Sequence, residues 1–174
     1  SGIIFTNKNT GIASLSGLKG QSMAFVDRDS ASGYLFPRAR LVEAGINPEK
    51  DLAITEFLGR HNLVVQAVYK GKFAAGAVYK GARPGAIPAG ENTDDVLPVL
   101  AESEDIPTSP LMIHEKFKAE HPELVAKLQK LLVTLHNSKR GMRALNKLDV
   151  DRYIRAEYAD YKEVRKVFRT LKDR

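Results

Sequence analysis

The chain has no cysteine. That excludes a disulfide framework, a Cys-ligated zinc site and thiol catalysis, and it suits a reducing cytosol and a disulfide-free periplasm equally well. There is also no apolar run of the roughly eighteen residues that a membrane-spanning helix needs. The opening stretch "SGIIFTNKNTGIASL" lacks the basic lead and long apolar core of a signal peptide, so the chain is expected to be cytoplasmic or already trimmed of its signal. RNP-type aromatics, glycine-rich RNA segments and zinc-finger spacing are all missing, as are internal repeats and low-complexity tracts.

What is present is a chain of 174 residues, 43% hydrophobic and 28% charged, enough for one core and at most two lobes. Its net charge of +6 is unevenly placed. Residues 1–113 hold eleven Lys and Arg against twelve Asp and Glu, and residues 114–174 hold sixteen against nine. Basic and acidic residues alternate in "KEVRKVFRTLKDR", which reads as a solvated helical face rather than a nucleic-acid surface.

Two textures meet near Ile113. Before it, "GIIFT", "SMAFVD", "LAITEFL", "FAAGAVY" and "VLPVLAES" read as short strands. Between them, Tyr34–Ala44 and Leu63–Tyr69 read as amphipathic helices closed by Gly45 and Gly71. Strands alternating with helices predict an α/β unit with a mainly parallel sheet. "YKGARPGAIPAGENTDD" reads as a loop. After Ile113 the pattern is helical: Leu124, Leu128, Leu131, Leu132 and Leu135 form one stripe behind Pro122, and further helices are expected at Lys139–Lys147 and Tyr161–Lys172. These helices need a sheet to lie on, so the whole looks like part of a larger α/β architecture.

Two short stretches carry chemistry. Ser30-Ala31-Ser32-Gly33 stands between the strand "MAFVD" and a helix, where unpaired N–H groups and the positive end of the helix dipole favour an anion. A serine there is most often simply an N-cap. Further on, His61 follows Gly59 and Arg60 at another strand-to-helix turn. A ring N–H at that position can donate to an oxyanion, with Arg60 strengthening the field, although a lone histidine at a helix start is commonly a capping or surface residue. His114, His121 and His136 have no metal-ligand spacing with it, and no metal or cofactor is expected.

Taken in order, "TGIASLSGLKGQSMAFVDRDSASGYLFPRARLVEAGINPEKD", "FLGRHNLVVQAVYKGKFAAGAVY" and "LAESEDIPTSPLMI" resemble the phosphate, phosphite and phosphonate substrate-binding proteins of ABC transporters. The likeness runs from about Thr10 to Ile113, with "DYKEVRKV" resembling the last helix of that family. It implies a type II periplasmic-binding fold closing on an oxyanion. Residues 1–11 would be a crossover strand, 12–98 an α/β ligand-binding lobe, 99–113 the return crossover and 114–174 the C-terminal helices of the other lobe. Such proteins usually carry about a hundred further residues at the N-terminus. Without their sheet, the exposed apolar helix faces are expected to dimerise or swap.

Carried over by position, Ser30 and Ser32 with the amides of Ala31 to Gly33 would hold the ligand oxygens, and His61 would donate to the same group. Neutral hydroxyls and amides can solvate a dianion without desolvating several full charges. Ala31 stands where the family has Thr, and Ala74 where it has the Asp of Val-Asp-Ala-Gly. Gly81 and Ser109 occupy the positions whose carboxylates pair a ligand amine, which disfavours an aminophosphonate. The implied partners are a small oxyanion and an ABC permease, in a periplasmic or extracytoplasmic setting, with no nucleic acid.

Other functions fit less well. A sensory domain of the same fold would be distinguished by its genetic context. A hydrolase using the serines and His61 lacks a Gly-x-Ser-x-Gly elbow and an orienting Asp. A transcriptional effector domain lacks a helix-turn-helix in this chain.

Overall fold

A computed structural model describes residues 1–172. The apolar runs become five strands: β1 (Gly2–Thr6), β2 (Ser22–Phe25), β3 (Ile54–Phe57), β4 (Ala75–Tyr79) and β5 (Val99–Glu102). Each lies within a segment expected to be extended. Their order in the sheet is β3-β2-β4-β1-β5. β2 is parallel to both β3 and β4, whereas β1 runs antiparallel to β4 and β5. The sheet is therefore mixed rather than mainly parallel in its pairings, because the first strand inserts between the last two. Alternation along the chain reveals which segments are strands, but not where a non-adjacent strand inserts.

Helices cover both faces of the sheet. α1 (Phe36–Glu43) and α2 (Pro48–Asp51) lie between β2 and β3 in sequence, and α3 (His61–Tyr69) between β3 and β4. Side-chain alternation divides each inner strand between two cores. Ile3, Phe5, Ala24 and Val78 pack with Val64, Val65 and Val68 of α3, while Ile4, Met23, Phe25 and Ala77 pack with Tyr34, Leu41 and Ile46. α3 sits so close that a Cβ on Gly76 would lie 2.7 Å from Val64 Cγ1.

The loop between β4 and β5 is more ordered than its Gly and Pro content predicts. It holds two 3-10 turns, Lys80–Ala82 and Pro84–Ala86, and a single helical turn, α4 (Thr93–Val96). Arg83 is buried within it, donating to the Leu97 carbonyl and, at 2.8 Å, to Asp94 Oδ1. A buried guanidinium in a loop has no sequence signature.

The chain divides into two compact units: residues 1–106 with the segment that begins at Lys162, and residues 107–161. The segments 1–11 and 99–113, expected as crossovers, contribute β1 and β5 to the sheet of the first unit. α8 (Lys162–Lys172) also belongs to that unit, where Val167 packs on Phe36 and Ala39 and Lys166 Nζ lies 4.0 Å from Glu43. The second unit holds α5 (Glu115–Glu120), α6 (Pro122–Thr134) and α7 (Lys139–Asn146). Its ends are tied together by a hydrogen bond from the Tyr161 hydroxyl to the Thr108 carbonyl, 3.1 Å.

Candidate functional site

Ser30 caps a helix that begins three residues earlier than the sequence pattern suggests. Residues Ala31–Leu35 form a π-helical turn that runs directly into α1. Proline accounts for the widening. Pro37 has no N–H to give the Gly33 carbonyl, which accepts instead from Val26 N–H at 3.2 Å. The neighbouring amides of Leu35 and Phe36 then reach back to the carbonyls of Ser30 and Ala31, five residues away.

This arrangement decides which donors are free. Ser30 Oγ accepts from Gly33 N–H at 3.0 Å, so the Gly33 amide expected as a ligand donor is already satisfied inside the turn. Gly33 has a steric role instead: a Cβ there would fall 2.3 Å from Val26 Cγ2. The Ser30 hydroxyl still has its own hydrogen to donate. The amides of Ala31 and Ser32 and the Ser32 hydroxyl have no hydrogen-bond partner among the described residues. A cap and unpaired donors thus coexist, on different groups of the same turn.

His61 is the first residue of α3. Its Nδ1 accepts from the Tyr79 backbone N–H at 3.3 Å, and its ring meets the Tyr79 ring edge-to-face at 4.8 Å. A ring nitrogen that accepts cannot carry the proton, so the neutral imidazole presents Nε2–H as a donor. Burial lowers the His61 pKa from its ordinary 6.5, and the nearby charge of Asp27 opposes the shift without reversing it. The ring is therefore neutral at pH 7.

The sheet brings these pieces to one edge. Ser30–Gly33 follow β2, His61 follows β3 and Tyr79 ends β4, so all stand at the carboxyl ends of three parallel strands. The two loops are joined by Leu58 N–H to Phe25 O at 2.9 Å and Gly59 N–H to Val26 O at 2.7 Å. β1 enters at the same edge, and a Cβ on Gly2 would lie 2.7 Å from the Ser32 carbonyl. Arg28 stands over the Phe57 ring at 4.8 Å, a cation beside the serine turn that pattern reading missed. So was Tyr79, which sets the histidine tautomer through its backbone and has no motif of its own.

The positions that differ from the family pattern fall in several places. Ala31 lies in the turn itself and keeps its free amide. Ala74 stands just before β4, at the opposite edge of the sheet, where its carbonyl accepts from Thr6 Oγ1 at 2.7 Å. Gly81 lies in the first 3-10 turn after β4, and Ser109 belongs to the second unit. Among the described residues no group of three or more His, Asp or Glu could hold a metal ion, and no helix is long and apolar enough to cross a membrane.

An open α/β sheet with helices on both faces, and unpaired neutral donors beyond the carboxyl ends of its strands, is the architecture of the type II periplasmic-binding class. The family model described as ABC transporter, phosphonate, periplasmic substrate-binding protein matches residues 1–161, and the chain belongs to that family. No curated protein matches it. Among solved structures, it is similar to PhnD1 of Prochlorococcus marinus in complex with methylphosphonate, at 22% identity and a TM-score of 0.72, over 99% of this chain and 67% of that one. It is also similar to XAC2383 of Xanthomonas citri bound to chloride ion, at 18% identity and a TM-score of 0.74, over 99% of this chain and 65% of that one. A binding protein component of an ABC phosphonate transporter from Pseudomonas aeruginosa matches at 18% identity and a TM-score of 0.68, over 96% of this chain and 56% of that one. The chain thus spans about two thirds or less of the length of these structures.

Proposed function

We propose that this chain supplies the oxyanion seat of a substrate-binding component of an ABC importer, and that its ligand is a phosphonate, phosphite or phosphate without an amine. The observation that carries this reading is the set of free donors at one sheet edge: the Ala31 and Ser32 amides, the Ser32 hydroxyl, and the Nε2–H of a neutral, oriented His61. Neutral donors fixed in advance lower the cost of taking a tetrahedral anion out of water. The positive end of the helix from Ala31 to Glu43 adds to the attraction. Gly81 offers no carboxylate to a ligand amine, which argues against aminophosphonates. In the full importer, ligand capture between two lobes would be the signal read by the permease.

The test is calorimetric titration with methylphosphonate, phosphite, phosphate, 2-aminoethylphosphonate and ethanesulfonate. At least one of the first three is expected to bind, more tightly than the aminophosphonate. Ser32→Ala is expected to weaken that binding about tenfold or more, the value of one hydrogen bond to a charged group. Lys166→Ala, on α8, is expected to leave it unchanged. No binding of any of the three amine-free phosphorus oxyanions overturns the proposal.

A further inference from the structure

Tyr79 is the one exposed residue of β4, whose other four positions are buried, and it is 47% exposed. Three observations fix where its side chain goes. Ala75 and Ala77 of the same strand lie in the core that holds Tyr34, so alternation carries the Tyr79 side chain toward that face. Gly2 is its partner in the pairing of β1 with β4, and residues directly across an antiparallel pair project to one face. A Cβ on Gly2 would lie 2.7 Å from the Ser32 carbonyl, so the face that Tyr79 shares is the one carrying the serine turn. The ring also meets His61 edge-to-face at 4.8 Å. Tyr79 therefore stands beside both donor sets, that of the serine turn and that of the histidine.

The two residues that follow bring no charge to the ring. Gly81 has no side chain, and a Cβ there would lie 3.3 Å from Tyr79 Cε2, so the ring fills space that a larger residue would claim. Lys80 directs its ammonium to Glu102 at 2.9 Å. We infer that Tyr79 is a specificity-determining residue: its ring is the wall on which the substituent of the bound oxyanion packs, favouring a phosphorus centre that carries a small alkyl group over phosphite or phosphate. This rests on the oxyanion reading proposed above. With the amides, the hydroxyl and His61 Nε2–H holding oxygens, the remaining substituent of a tetrahedral centre turns to the ring. An alkyl group gains there by leaving water, whereas an oxygen set against ring carbons gives up its hydration for no bond.

Calorimetric titration of the whole chain with ethylphosphonate, methylphosphonate and phosphite tests the inference, in the wild type, Tyr79→Phe and Tyr79→Ala. Ethylphosphonate is expected to bind the wild type about tenfold more tightly than phosphite, with methylphosphonate between them, the worth of burying one or two carbons. Tyr79→Phe is expected to keep that ratio. Tyr79→Ala is expected to bring it close to one while leaving phosphite affinity within about threefold, because the amide that orients His61 belongs to the backbone. Circular dichroism checks that both variants keep the fold, and the wild-type ratio is decisive without them. A wild type that binds ethylphosphonate no better than phosphite overturns the inference. So does a preference that survives Tyr79→Ala, or one that Tyr79→Phe abolishes, which would assign the selection to the hydroxyl. Oxyanion binding persists in each of these outcomes, and the proposed function stands. A chain that binds none of the three fails at the oxyanion reading itself and takes this inference with it.

Discussion

Ser30 and Ser32 stand two residues apart, yet the turn gives them different work. Ser30 Oγ accepts from the Gly33 amide, so Ser30→Ala removes a helix cap and is expected to lower stability by about 1 kcal/mol in denaturant unfolding. Ser32 has no bond of that kind, and Ser32→Ala is expected to leave stability nearly unchanged while weakening the anion. A double readout of melting and titration therefore separates cap from seat. His61 adds a pH dependence. Because burial holds its folded pKa below 6.5, the unfolded chain takes up the proton first as pH falls. Its contribution to stability is complete above 6.5 and is lost as pH drops through the lowered value, where protonation also breaks the bond from Tyr79 N–H. His61→Gln is expected to flatten the change in melting temperature between pH 7 and pH 5. An unchanged pH slope in the variant would show that the acid sensitivity lies elsewhere.

At the scale of elements, close approach rather than special backbone angles explains two of the glycines. A methyl group on Gly33 would meet Val26 at 2.3 Å, forcing apart the π-helical turn and the end of β2. One on Gly76 would meet Val64 Cγ1 at 2.7 Å and Val68 Cγ2 at 3.0 Å, lifting α3 from the sheet. Gly33→Ala and Gly76→Ala are each expected to cost about 1–3 kcal/mol in denaturant unfolding, the usual range for overpacking. They should differ in function. Gly33→Ala displaces the serine turn and should lower oxyanion affinity directly, whereas Gly76→Ala shifts α3 and reaches the ligand only through His61. The aromatic group beneath the site, with Phe25, Tyr34 and Phe57 at centroid distances of 5.0 to 5.8 Å, gives these loops a stiff floor.

At the scale of the whole molecule, the first unit is closed by a segment far from it in sequence. α8 returns to seat Val167 against Phe36 and Ala39, on the helix that follows the serine turn. Val167→Ala is expected to destabilise the first unit by about 1–3 kcal/mol, less than a leucine truncation and read as an earlier thermal transition. An unshifted transition would mean that α8 adds nothing to this core. The leucine stripe on α6 was equally legible in the sequence. Burial was not, because periodicity marks an apolar face without saying what covers it.

The chain's local chemistry was determined by sequence alone. Period-two and period-3.6 patterns located five strands and the principal helices, the order of motifs identified the family, and a serine-rich strand-to-helix turn marked the candidate seat, because each of these depends on residues close together along the chain. Only the tertiary structure decided the rest: β1 between β4 and β5, the Tyr79 amide on His61 Nδ1, the Val26 amide on the Gly33 carbonyl, and Ala74 at the edge away from the site. Each of these joins groups distant in sequence or selects among several donors near one acceptor. Which contact forms is settled by how sheet and helices pack, and no local pattern encodes that choice.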